Sequence, residues 1–137
     1  MYVFFDTETT GLPKRWRAPV TDVDNWPRMV QIAWLAYDND GGQTGAGSFI
    51  IRPEGFTIPA DSARIHGITT ERAEEEGVEL ASVLGEFKDA VRDAGTIVAH
   101  NLSFDEMIVG AEFIRKAFAH DMHAKTKICT MEGSKEF

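Results

Sequence analysis

Apolar and polar residues along this chain alternate or cluster in ways that mark out most of its elements. Tyr2-Val3-Phe4-Phe5 opens a β-prone run that continues to Glu8 and is broken by Gly11-Leu12-Pro13, so a strand is expected over 2–8. An irregular stretch with three prolines follows from 13 to 28. Positions 30–37 are apolar almost throughout, which suits a central strand. Asp38-Asn39-Asp40-Gly41-Gly42 is a turn signal, and 48–52 reads as a third strand returning antiparallel. From Ile65 onward the period changes. Thr69 or Thr70 can cap a short helix running to Glu76. Leu80, Val83, Leu84, Phe87 and Val91 recur at helical spacing in a longer helix over 79–93, with Gly95 as the expected left-handed cap. A buried strand over 96–99 comes next. A helix capped by Ser103 then carries the stripe Phe104, Met107, Ile108, Ala111 and Phe118, and a last strand covers 127–131. The order β-β-β-α-α-β-α-β is a mixed α/β pattern with an antiparallel three-stranded start.

Composition narrows the class. A chain of 137 residues, 43% hydrophobic and with nine phenylalanines, is one domain over 1–137 with its own core, which excludes a disordered chain. A single cysteine, Cys129, excludes a disulfide scaffold and a four-cysteine zinc site. It suits a reducing, cytoplasmic compartment, as an inert residue on a core strand. The apolar start is cut short at Asp6, so neither a signal peptide nor a membrane span is expected.

Charge changes the picture less than it first promises. The net charge of −8 argues against a generally basic nucleic-acid binder. Yet Glu71, Glu74, Glu75, Glu76 and Glu79 crowd one solvated helix face, and carboxylates that hold cations must be discounted from the total. Lys14, Arg15, Trp16 and Arg17 interleave basic and aromatic side chains. That pattern suits either a single-stranded nucleic acid or an ordinary surface loop.

The candidate chemistry sits at two strand ends. Asp6 and Glu8, two apart on a strand, point to the same face, roughly 6.6 Å apart along the backbone. Carboxylates emerging from a core strand repel one another unless a cation neutralises them. Asp105 falls in the first turn of a helix just after a buried strand, where the helix dipole favours its charge. If the strands at 2–8 and 96–99 are neighbours, Asp105 converges on Asp6 and Glu8. Three such acids suit Mg²⁺ or Mn²⁺ rather than zinc.

Phe5-Asp6-Thr7-Glu8-Thr9-Thr10-Gly11-Leu12 resembles the first motif of the DEDD-type 3′–5′ exonucleases, in their DnaQ-like, histidine-bearing branch that includes the proofreading epsilon subunit of DNA polymerase III. His100-Asn101-Leu102-Ser103-Phe104-Asp105 resembles the second motif, and Met29-Val30-Gln31-Ile32-Ala33-Trp34 and Ile65-His66-Gly67-Ile68-Thr69 agree with the family in order. The resemblance implies an RNase H-like fold, with a mixed five-stranded sheet and flanking helices. It implies hydrolysis of phosphodiester bonds at a nucleic-acid 3′ end with two Mg²⁺ or Mn²⁺ ions. Asp6, Glu8 and Asp105 would then be the catalytic, metal-binding acids. The backbone around Thr9 would face the terminal 3′-hydroxyl, and Leu12 would wedge against the last base. Asn101, Phe104 and the His66-Gly67 loop would line the nucleotide pocket. The implied partner is a single-stranded 3′ end, DNA ahead of RNA, with a DNA polymerase or a second copy of the chain as further partners.

The third family motif, His-x-x-x-x-Asp on a C-terminal helix, is not found. The one match, His100 to Asp105, already belongs to the second motif. The chain is therefore expected to be a C-terminally truncated exonuclease domain that lacks its C-terminal helix, binds metal weakly and hydrolyses little, with apolar surface uncovered on one sheet face. The competing reading is a non-catalytic RNase H-like module that binds nucleic acid or a polymerase.

Overall fold

The computed structural model describes residues 1–134. Five strands, β1 (Tyr2–Thr9), β2 (Met29–Tyr37), β3 (Gln43–Ile50), β4 (Thr96–Ala99) and β5 (Thr126–Cys129), form one sheet in the order β3-β2-β1-β4-β5. β1, β2 and β3 are antiparallel neighbours, whereas β4 runs parallel to β1 and β5 parallel to β4. The helices are α1 (Ala60–His66), α2 (Thr70–Glu76), α3 (Leu80–Arg92), α4 (Leu102–Arg115) and α5 (Thr130–Ser134). Among the described residues no helix is long and apolar enough to cross a membrane.

Alternation along β1 decides where everything else sits. Val3, Phe5 and Thr7 are buried on the inner face, packed with Ile32 and Trp34 of β2 against α3 and α4, while Tyr2, Phe4 and Asp6 are exposed on the other. α3 buries the five residues that its periodicity marks. Among the described residues the other sheet face is open: Phe4, Leu35 and Ile128 are each 42–43% exposed and lie in one row across the strands. β2 is thus covered on one side only, and this row is the apolar surface expected to lie uncovered.

Several boundaries differ from expectation. α1 was not expected, because seven residues are too few to show a period and, unlike the equally short α2, it has no capping side chain to mark its start; it ends at Gly67, whose φ of 78° is the left-handed cap conformation. α3 stops at Asp93 with ordinary right-handed geometry, and Gly95 instead donates its N–H to the Met1 carbonyl. Asn101, not Ser103, precedes α4, and the buried face of that helix is turned from the expected stripe: Leu102, Asp105, Ile108, Val109, Glu112 and Phe113 face inward. Phe104, Met107 and Phe118 sit at the core's edge. The 13–28 loop packs against α4 as well as the sheet, so the helix buries more than one stripe. β5 ends at Cys129, which is half-buried rather than in the core, and α5 follows at once. Burial pushes the Cys129 thiol up, but backbone N–H groups of Glu132, Leu102, Asn101 and Met131 outweigh it and bring the thiol below its ordinary value.

β3 starts five residues earlier than its glycines suggest. Gly47 pairs with Trp34, and a Cβ at Gly47 would lie 2.2 Å from the indole ring. Trp34 is itself held edge-on against Phe87 at 5.3 Å. Alanine is a better strand residue than glycine in general, yet Gly47→Ala should cost about 1–3 kcal/mol, because the indole has to move out of a packed core. Urea unfolding followed by tryptophan fluorescence checks this; an unchanged midpoint would show that Trp34 repacks freely.

Candidate active site

The site lies where β1 ends and α4 begins. Asp6 and Glu8 project from the open face of β1, opposite Ala33 and Gln31 of β2. Thr7 between them points inward, and its hydroxyl donates to Asp105 Oδ1 at 2.5 Å. Asp105 is 3% exposed, in the first turn of α4. The parallel pairing of β1 with β4 brings this turn to the end of β1, as the sequence argument requires. The three acids are electrostatic neighbours. Burial pushes the Asp105 carboxyl up to about 7; Thr7 opposes the rise, and the charges of Asp6 and Glu8 add to it. Glu8 is also held above its ordinary value, by burial first and then by Asp6, with His66 opposing.

Beyond the Thr7 hydroxyl at Asp105 and His66 near Glu8, those carboxylates are given little compensation. Among the described residues none of the three forms an ion pair with lysine or arginine. Hard oxygen donors left without a cationic partner fit Mg²⁺ or Mn²⁺, which bind through one or two carboxylates and keep other positions for water and phosphate. The grouping is looser than one shared ligand set, however. Among the described residues no three His, Cys, Asp or Glu side chains are gathered closely enough to hold one ion between them. Asp6 and Glu8 face out, whereas Asp105 is turned onto Thr7.

The segment after Glu8 is pinned from three sides. Ile68 N–H donates to His66 Nδ1 at 3.2 Å, which leaves Nε2 to carry the ring proton and donate to the Thr9 carbonyl at 3.2 Å. Ser62 Oγ donates to the Thr10 carbonyl at 2.7 Å, and the Thr10 amide donates to the Arg28 carbonyl at 3.0 Å. Leu12 is 74% exposed beyond this anchored segment. Asn101 adopts a left-handed conformation with φ 62° in the β4–α4 turn, and its carbonyl accepts from Phe104 N–H. Thr9 and His66 are thus brought together; Asn101 and Phe104 stand at the α4 end of the same site. A groove of about 630 Å³ runs from Asp6 and His100 over Phe4, Leu35 and Val98.

Three contributors were not visible in the sequence. Thr7 could have been found from strand parity alone, since a polar residue between two outward acids must face the core. Ser62 carries no local signal. Glu112, fully buried two helical turns after Asp105, reads in the sequence as one more surface acid, but it binds Arg28 and Arg115. His120 stacks on Phe113 at 4.8 Å, with its ring held below its ordinary pKa by burial and by His123.

Comparison with known proteins identifies the fold and the family. No curated protein matches the chain. Among solved structures, E. coli exonuclease I in complex with a 5cy-dA13 oligonucleotide superposes with a TM-score of 0.79 at 19% identity, covering 98% of this chain and 29% of that one. A product-bound structure of exonuclease I gives 0.78 at 19% identity over 98% and 30%. The zinc-bound form of the E. coli enzyme with single-stranded DNA gives 0.78 at 19% over 98% and 28%. The chain therefore spans under a third of these relatives' length and shares with them the RNase H-like fold. The RNase T family model, described as exonuclease, matches residues 3–136. With that match across nearly its whole length, the chain belongs to the exonuclease family of the RNase T type, a nuclease family of the DEDD group.

Proposed function

We propose that this chain is a divalent-cation-dependent 3′–5′ exonuclease domain acting on the 3′ end of single-stranded nucleic acid, DNA ahead of RNA. The observation that carries the reading is the carboxylate set that has no lysine or arginine partner among the described residues, Asp6 and Glu8 on one strand face with Asp105 behind them, at the meeting point of β1 and α4. Asp6 and Glu8 would hold Mg²⁺ or Mn²⁺, and Asp105 would add its charge through the Thr7 end of the strand. Bound cations supply an activated water and take charge from the leaving 3′-oxygen. The chain's own residues bind and orient. The anchored Thr9 backbone faces the terminal 3′-hydroxyl, exposed Leu12 wedges against the last base, and His66, Asn101 and Phe104 border the nucleotide. Because the third family motif is absent from these 137 residues, turnover by this chain is expected to be low.

Metal binding is the direct test. In thermal scans, Mn²⁺ at ten times its dissociation constant should raise the midpoint by about 4 °C. Asp6→Asn and Glu8→Gln should each remove most of that rise. A wild-type midpoint indifferent to Mg²⁺ and Mn²⁺ would refute the catalytic reading. It would favour a non-catalytic nucleic-acid-binding module, which the lack of a three-ligand grouping among the described residues also fits.

A further inference from the structure

The loop between β1 and β2 has a feature that the carboxylate site does not use. Trp16 is 56% exposed, although the other two tryptophans, Trp26 and Trp34, are 4% and 6% exposed. An exposed indole with a free face is a surface on which an unpaired base can stack. Trp16 is not loose: its ring lies 5.6 Å from that of Phe104, tilted by 49°. Phe104 is in the first turn of α4, immediately before Asp105. The pair therefore forms an aromatic surface that runs from the carboxylate site onto the loop.

The backbone beneath Trp16 is fixed. Buried Asn25 accepts from Arg15 N–H at 2.7 Å through Oδ1 and donates to the Arg15 carbonyl at 2.9 Å through Nδ2. Ala18 is buried two residues beyond Trp16, and Trp26 Nε1 donates to the Pro19 carbonyl at 3.0 Å. The ordering cost of the loop is thus met in the free protein, which is what preorganised recognition requires. Charge adds direction. Lys14 and Arg17 are exposed and form no ion pair among the described residues, whereas Arg15 is bound to Asp22 at 2.8 Å. In a chain of net charge −8, two unpaired cations beside an exposed indole are a local inversion of sign.

We infer that Trp16, propped against Phe104 at the border of the terminal-nucleotide site, is a stacking platform for an unpaired base lying upstream of the 3′-terminal nucleotide, with Lys14 and Arg17 meeting the adjoining phosphates. This rests on the nuclease reading above and adds a subsite to it: the domain grips a strand of several nucleotides, not the terminal one alone. Stacking requires unpaired bases, so the platform selects single strands over duplex and is indifferent to sequence.

The test is binding of fluorescein-labelled dT8 and of dTMP in Ca²⁺, followed by anisotropy for the octamer and by competition for the mononucleotide. Trp16→Ala should weaken dT8 binding about tenfold and change dTMP binding less than twofold, whereas Trp16→Phe should keep most of the octamer affinity. Lys14→Glu with Arg17→Glu should reduce the salt dependence of dT8 binding by about 0.7 in log–log slope per lost phosphate contact. The exposed indole should also be quenched by dT8 in the wild type. Wild-type affinity for dT8 in Trp16→Ala, or equal weakening of dT8 and dTMP, would overturn the platform and leave the nuclease reading standing. Failure of the wild type to bind dT8 at all would overturn both.

Discussion

Glu112→Ala is expected to lower the thermal midpoint by about 10–20 °C, the largest effect of any single substitution considered for this protein. The Glu112 side chain has no solvent exposure and accepts from Arg28 Nε at 3.1 and 3.2 Å, Arg115 Nη1 at 2.7 Å and the Met29 amide at 2.9 Å. Arg115 continues to the carbonyls of Val23 and Trp26, and Arg28 lies over the Phe56 ring at 4.6 Å. Removing the acid leaves two largely buried guanidinium groups without an anion. Breaking such a pair typically costs about 3–5 kcal/mol, a large share of the roughly 5–15 kcal/mol that holds a domain together. Glu112→Gln keeps the shape and part of the hydrogen bonding, so it should fall between. The consequence reaches the site, because the Arg28 backbone exchanges two hydrogen bonds with Thr10, just beyond Glu8. Calorimetry of the two variants decides the matter, and a Glu112→Ala midpoint within 3 °C of wild type would sink the argument.

The second large effect has the opposite sign. In chelator at pH 8, Asp105→Asn should be more stable than wild type by an amount on the order of 2–4 kcal/mol. An unfolded aspartate releases its proton near 3.8, whereas burial holds the folded Asp105 carboxyl up to about 7. Between those values the folded chain keeps a proton that the unfolded chain has given up. The stability from this group is therefore present in full below pH 3.8 and lost as pH rises through about 7. Asparagine has no charge to bury and can still accept from Thr7 through its side-chain carbonyl. Denaturant titrations of both proteins from pH 4 to 8 should show the gap opening with pH, and Mn²⁺ should narrow it by compensating the wild-type charges. A variant less stable than wild type at pH 8 would mean that the buried carboxylate is compensated by something other than Thr7.

Much of the site was legible because it follows from local rules. Strand parity puts Asp6 and Glu8 on one face, and a helix beginning just after a buried strand puts Asp105 in a first turn. The amphipathic stripe of α3 is equally local, so its five buried residues could be named from spacing. α4 was misjudged because a helix packed on more than one side has no single stripe, and nothing local in the sequence marks Glu112 as buried. α1 escaped because it is too short for a period to show and, unlike α2, has no capping side chain at its start.

What the sequence by itself determined is the set of charged groups and their local geometry: two outward acids on a core strand, a third at a helix start, and a basic aromatic loop between strands. Only the tertiary structure decided how each charge is balanced, since the partners are remote along the chain. Thr7 meets Asp105 across 98 residues and Arg28 meets Glu112 across 84. Glu112 receives two arginines, so it is a structural anchor. Asp105 receives one hydroxyl and, with Asp6 and Glu8, stays short of positive charge. Acids of the same chemical kind on one helix thus take different roles, because the energy of a buried carboxylate depends on what the fold places beside it.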